Sequence, residues 1–241
     1  MSKFRKSASL TAGLLAALIV APAQGFNLNK AITVDAGGQS SGESTINGSI
    51  SVGRDATVTG ELKTVNGSIR IEESARIEDA GTVNGSLRLA NGVSAHDISS
   101  VNGTVELGEN VVIDGQISVV NGRIAVGSGS QVSKDIKNVN GEIKVAGTTV
   151  GGDLATVNGD VTLTGNSVLR GDLIIEKPGN RQWGRAEKRK PRIVIGPGAR
   201  VQGEIELERE VELYISESAE VGGVTGVMTL EQAIRFSGES P

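Results

Sequence analysis

One tripeptide constrains this chain more than any other feature. Val-Asn-Gly, with isoleucine replacing valine once, places asparagines at Asn47, Asn66, Asn84, Asn102, Asn121, Asn140 and Asn158, at gaps of 19, 18, 18, 19, 19 and 18 residues. Asn29 lies 18 residues before Asn47 and is followed by Lys30 instead of glycine, so it reads as a degenerate first copy. A short fixed period is the mark of stacked repeats, none of which can bury its apolar face alone.

Aligned on the asparagine, the copies keep an apolar residue three positions later (Ile32, Ile50, Ile69, Leu87, Val105, Ile124, Ile143, Val161) and another five positions later (Val34, Val52, Ile71, Leu89, Leu107, Val126, Val145, Leu163). The residue between them is mostly polar or small, which is the pattern of a short strand with one buried face. The residue before each asparagine is also aliphatic, from Leu28 and Ile46 to Val157. A second alternation follows in each copy, as from Val58 to Leu62 and from Ile113 to Ile117. Each copy therefore reads as two or three short strands joined by tight turns. Stacking pairs each strand in parallel with its counterpart in the next copy.

The expected fold is all-β: a single-stranded parallel β-helix, or β-solenoid, of about 8–10 coils of 18–19 residues. The crossover preference of parallel β units favours a right-handed coil. Equivalent asparagines should hydrogen-bond amide to amide in a ladder at one corner. Asparagine and glycine both tolerate the left-handed backbone of a sharp corner. Asn-Gly is also the strongest short hairpin signal and would then give antiparallel strands. A hairpin array, however, has no reason to hold its aliphatic positions in phase.

Aromatic residues make up only 2% of the chain, and none lies between residues 29 and 176. The coil interior should therefore be narrow and filled with valine, isoleucine, leucine and alanine. There is no cysteine, which excludes disulfides and thiolate metal sites. Lys3, Arg5 and Lys6, an apolar run over residues 10–20 and Ala21-Pro22-Ala23 give residues 1–23 the layout of a secretory signal peptide. An uncleaved anchor is the alternative. The expected location is the periplasm or the cell exterior of a bacterium. No later segment is apolar enough to span a membrane. Removing the three basic residues of the signal takes the formal charge from −4 to −7, which argues against general nucleic-acid binding.

The coils should occupy residues 24–228, with residues 229–241 as a C-terminal cap or tail in which Leu230, Ala233 and Ile234 suggest a short amphipathic helix. Residues 177–192 interrupt the period where the next Asn-Gly is due. They hold Lys177, Arg181, Arg185, Lys188, Arg189, Lys190 and Arg192 around Trp183, with Glu187 as the one acid. Insertions in solenoids map to loops on one face, often the binding face. Cations around an aromatic suit an anionic lipid, lipopolysaccharide phosphate or an acidic polymer. The bland alternative is a solvated insertion that only aids solubility.

The stretch from Ile193 to Val224, and that from Gly108 to Ile117, resemble the bactofilins, polymer-forming bacterial scaffold proteins. The Val-Asn-Gly copies are similar to the repeats of bacterial adhesin-type β-solenoids. Together these resemblances cover most of residues 29–224. They imply a β-helix that meets further copies of itself through coil ends or faces. Bactofilins are cytoplasmic, and this chain differs in its export signal and its basic loop.

Candidate chemistry is sparse. His96 is the one histidine, without a serine or cysteine motif that would make it a general base. Glu106, Glu142 and Asp160 occupy outward positions, and the repeats offer no aromatic platform for a sugar. The glycine-aspartate nonapeptide of calcium-binding β-rolls is absent, and pairs such as Asp114-Gly115 and Gly152-Asp153 read as turn residues. No catalytic residue, metal site or cofactor is expected. The sequence points to an exported, non-enzymatic scaffold. The alternatives are a monomeric adhesin or ligand-binding module and, last, a polysaccharide-active enzyme.

Overall fold

In the computed structural model, which describes residues 26–179 and 189–241, the chain winds into a parallel β-solenoid. Three sheets of 11, 11 and 10 strands run along it. Ten coils give one strand to each sheet, and an eleventh gives two. In the coil centred on Asn66 the strands are Leu62–Asn66 in the first sheet, Ile69–Ile71 in the second and Arg76–Ile77 in the third. Each pairs in parallel with its equivalents above and below, so Leu62, Ala80, Ile98, Ile117, Ile136 and Leu154 stack in one column. Neighbouring strands thus run the same way, and the hairpin alternative fails.

The interior is built from such columns. Ile50, Leu87, Ile124 and Ile143 of the second sheet are fully buried, as are Ile113 of the third and Ile117 and Ile136 of the first. Like stacks on like at the ~4.8 Å spacing of paired strands, so each aliphatic side chain covers the one below it. The second alternation of each repeat spans a corner: Thr57–Val58 closes the third sheet and Leu62–Asn66 opens the first.

Three expectations need correction. The interior is not purely aliphatic. Thr45, Thr64, Thr82, Ser100, Asn138 and Thr156 point inward from the first sheet and are at most 2% exposed. The aliphatic residue before most ladder asparagines, such as Val65, Val83, Val101 and Val120, instead faces out and is half-buried. The reason is the two-residue period of a strand: Leu62 points in, so Thr64 must, and Val65 cannot.

The left-handed backbone is also at another corner. Asp55, Ser74, Asn110 and Asn166 have φ of 57°, 59°, 55° and 62°, and all lie between the second and third sheets. Of the glycines that follow the ladder asparagines only Gly141 has a positive φ, at 120°. The glycines are required there by space. A Cβ on Gly103 would overlap the carbonyl oxygen of Gly85 one coil below, and the same clash recurs at Gly67, Gly85 and Gly122.

The third correction concerns the tail. Its helical part is one 3₁₀ turn, Leu230–Gln232, with no buried residue. Ile234–Phe236 then adds a last parallel strand to the second sheet beside Glu212–Ser216. The insertion sits at the Asn-Gly corner, between Leu173–Ile175 of the first sheet and Arg192–Ile195 of the second. Residues 1–23, read as a signal peptide, lie outside the described residues. So do the loop residues Arg181, Trp183, Arg185 and Lys188.

Candidate functional site: the asparagine corner and the basic flank above it

The corner forms because the last residue of each long first-sheet strand turns outward just before a glycine. Asn29, Asn47, Asn66, Asn84, Asn102, Asn121, Asn140 and Asn158 then stack in register. Each Nδ2 donates to the Oδ1 of the asparagine below, at 2.7, 2.8, 2.9, 3.0, 3.0, 2.7 and 2.9 Å from Asn47 up to Asn158. The ladder is therefore continuous and polar in one direction, with oxygens facing the C-terminal end.

Behind it runs a second set of bonds. Thr64 and Thr82 hydroxyls donate to the carbonyls of Gly48 and Gly67 at 2.9 and 3.0 Å. Asn138 Nδ2 donates to the Gly122 and Gly141 carbonyls at 2.9 and 3.0 Å. Buried hydroxyls in a narrow core cost free energy unless bonded, and the corner carbonyls satisfy these. Among the described residues, Ser100 Oγ and Asn138 Oδ1 are buried without a partner.

The ladder ends on a cation. Arg209 Nη1 donates to Asn158 Oδ1 at 2.8 Å and to the Val157 carbonyl at 3.1 Å, and its Nη2 donates to the Arg189 carbonyl at 3.2 Å. Partial burial lowers its pKa from the ordinary arginine value. The repeat pattern gave no sign of this residue, because it lies in a non-repeating Glu-Arg-Glu stretch brought over Asn158 only by the insertion.

The described part of the basic segment folds back on the coils. Arg189 Nη2 lies 2.6 Å from Asp160 Oδ2, and Lys190 Nζ lies 2.8 Å from Glu210 Oε2. Each acid raises its partner's pKa, chiefly by hydrogen bonding. The backbone N–H of Arg192 donates to Asp160 Oδ1 at 2.9 Å, its Nη2 donates to the Pro241 carbonyl at 3.0 Å, and its guanidinium lies 4.9 Å from the Tyr214 ring centre. On the other side, Lys177 N–H donates to Glu208 Oε2 at 3.1 Å. Of the four cations among the described residues, Arg189, Lys190 and Arg192 thus have intrachain partners for their charged groups.

The remaining candidates are dispersed. Glu106 pairs with Arg88 at 2.8 Å and Glu142 with Arg123 at 3.1 Å, each across adjacent coils. His96 lies at the corner between the third and first sheets, with Nδ1 3.0 Å from Asp79 Oδ1 and 3.9 Å from Asp97 Oδ1. The Asp79 hydrogen bond and then the Asp97 charge hold its pKa above the ordinary histidine value. Asp79, His96 and Asp97 form the one group among the described residues with ligand atoms close enough for a shared metal ion.

That corner carries a regularity missed in the sequence. Asp79, Asp97, Asp135, Asp153 and Asp172 each accept, through Oδ1, the backbone N–H of the equivalent residue one coil on, at 2.8–3.0 Å. Gly152 and Gly171 leave room for the carboxylates of Asp135 and Asp153. Asp153 read as an ordinary turn former, but the phase of Asp79, Asp97, Asp135 and Asp153, each five before a ladder asparagine, was visible.

Asp135 sits in this column with its pKa lowered. Burial pushes it up, but the Lys137 hydrogen bond, the Asp153 N–H and the charges of Lys137 and Lys134 together outweigh burial. Glu206, near the C-terminal end, is pushed up by burial and then by Asp172, Glu204, Asp153 and Glu208.

No helix among the described residues is long and apolar enough to cross a membrane. No protein-family model, curated protein or solved structure matches the chain, so it is placed by its coil architecture.

Proposed function

We propose that this protein is an exported, non-enzymatic scaffold of the bacterial envelope that assembles through the ends of its coils, in the manner of the bactofilins it resembles. The observation that carries this reading is the pair of open ends. At the C-terminal end Ile234–Phe236 is the outermost strand of the second sheet and Val224–Gly226 of the first. Val227 and Ile234 there are 55% and 52% exposed. At the other end Ile32–Val34 is outermost, and Leu28 is 61% exposed. An unpaired parallel edge is a template for another strand. The ladder has the same directional character, since its first amide has a donor below and each later coil repeats the pattern.

The basic segment gives the rod a place to touch an anionic component. Arg181, Arg185 and Lys188 add three further cations to its sequence. The ligand class is an anionic lipid, lipopolysaccharide phosphate or an acidic polymer.

Negative-stain electron microscopy and light scattering of the purified chain at rising concentration test the assembly. Filaments or discrete end-on multimers are expected, and Arg235→Pro, which removes a donor from the outermost strand, should shorten them. A rod that stays monomeric at high concentration would overturn assembly.

A second reading, a monomeric binding module, draws on the outer face of the first sheet. There the half-buried Val83, Val101 and Val120 lie beside Gly81, Ser99 and Ser118 with no charged residue among them. Retention of the monomer on whole envelopes, undiminished when the seven loop cations become glutamine, would favour it.

A further inference from the structure

Asn-Gly is the dipeptide most prone to lose its side-chain amide, because glycine puts no side chain in the way of its own nitrogen. That nitrogen, once deprotonated, bonds to the asparagine Cγ, the Cγ–Nδ2 bond breaks, and ammonia leaves. Water then opens the cyclic imide to aspartate or isoaspartate. This chain carries eight such pairs, seven on the ladder and Asn91-Gly92 at the corner between the second and third sheets, where the Gly92 N–H is shielded by its bond to the Glu109 carbonyl at 2.9 Å. All the asparagines except the half-buried Asn140 are exposed. Composition alone would make them equivalent.

We infer that the solenoid sorts these pairs into shielded and reactive sites, and that Asn47, Asn66 and Asn140 are the sites of spontaneous deamidation. The attacking atom decides the sorting. The N–H groups of Gly85, Gly103 and Gly122 donate to the carbonyls of Asn102, Asn121 and Asn140 one coil on, at 3.1, 3.0 and 2.9 Å. The N–H of Gly159 donates to Thr156 Oγ1 at 3.0 Å. Each of these nitrogens must break a hydrogen bond before it can lose its proton and turn toward Cγ. Among the described residues, the N–H groups of Gly48, Gly67 and Gly141 have no such partner.

Gly141 also differs in backbone, with φ of 120°. The leaving amides of the seven ladder pairs are held alike, by the ladder bonds, so they do not discriminate among these. The consequence is largest at Asn140. Its product is a carboxylate with no donor for Asn121 Oδ1, which now receives its bond from Asn140 at 2.7 Å. The ladder would be cut in its C-terminal half, and a negative charge would enter an uncharged column.

The test is peptide mass spectrometry of the folded full-length chain after incubation at mildly alkaline pH, following amide loss at the seven ladder sites. Asn47, Asn66 and Asn140 should react roughly two- to tenfold faster than Asn84, Asn102, Asn121 and Asn158, the slowing that one retained backbone hydrogen bond imposes. In denaturant the seven rates should converge. Equal rates in the folded chain would overturn the inference, as would the same order persisting in denaturant. Thr156→Val, which removes the acceptor for Gly159 N–H, should move Asn158 into the fast group, and an unchanged Asn158 rate would show that the N–H bond is not the shield.

Discussion

At the scale of single residues, the alternation of a strand decides more than hydrophobicity does. Thr64 and Thr82 are buried because Leu62 and Ala80 are, and their hydroxyls are satisfied by the carbonyls of the corner. His96 is a residue-scale case with a pH signature. Its pKa is raised, so protonation favours the folded chain. That contribution is complete below the unfolded value of about 6.5 and is lost as pH rises through the raised folded value. Asp79→Asn keeps an oxygen for the Asp97 N–H but removes the charge. It should lower the His96 pKa read by NMR. It should also cost more thermal stability near pH 5 than near pH 8. An equal cost at both pH values would assign Asp79 a purely backbone role.

At the scale of one coil against the next, two devices act at the same corner with different strengths. An asparagine contributes exposed amide bonds, whereas its glycine is demanded by the close approach of two backbones. Asn102→Ala removes two ladder bonds and should cost about 1–2 kcal/mol. Gly103→Ala forces a methyl group into the Gly85 carbonyl and should cost about 3 kcal/mol, at the upper end of overpacking penalties. Denaturant midpoints of the two variants rank them, and a reversed order would mean that the ladder, not the packing, holds the corner. The aspartate column at the opposite corner belongs to this scale too, since each carboxylate bonds the coil above its own.

For the whole molecule, stability is expected to add coil by coil, because strand pairing runs only between neighbouring coils. The ends should therefore open first. Hydrogen exchange should be slowest in the first-sheet strands Ala80–Asn84, Ile98–Asn102 and Ile117–Asn121 and fastest in Val224–Gly226 and Ile234–Phe236. Uniform protection along the rod would instead mean one cooperative unit.

The period, the parallel stack, the ladder and the site of the insertion were all legible in the sequence, because each is a statement about residues recurring at one spacing. A register repeated eight times over leaves one way to superpose the copies. Which side each residue faces was less legible. The valines before Asn66, Asn84, Asn102 and Asn121 are aliphatic yet lie half-buried on the outer face, while Thr64 and Thr82 of the same strands went inside. The sequence carries the period, but the phase depends on which strand end meets the corner. The role of glycine was misassigned for a related reason: clash with a coil 18 or 19 residues away has no local signature. Arg209 closing the ladder, and Asp160 and Glu210 holding the basic flank, came from tertiary structure alone. Those contacts span 20 to 51 residues, and only the folded coils bring such charges within bonding distance.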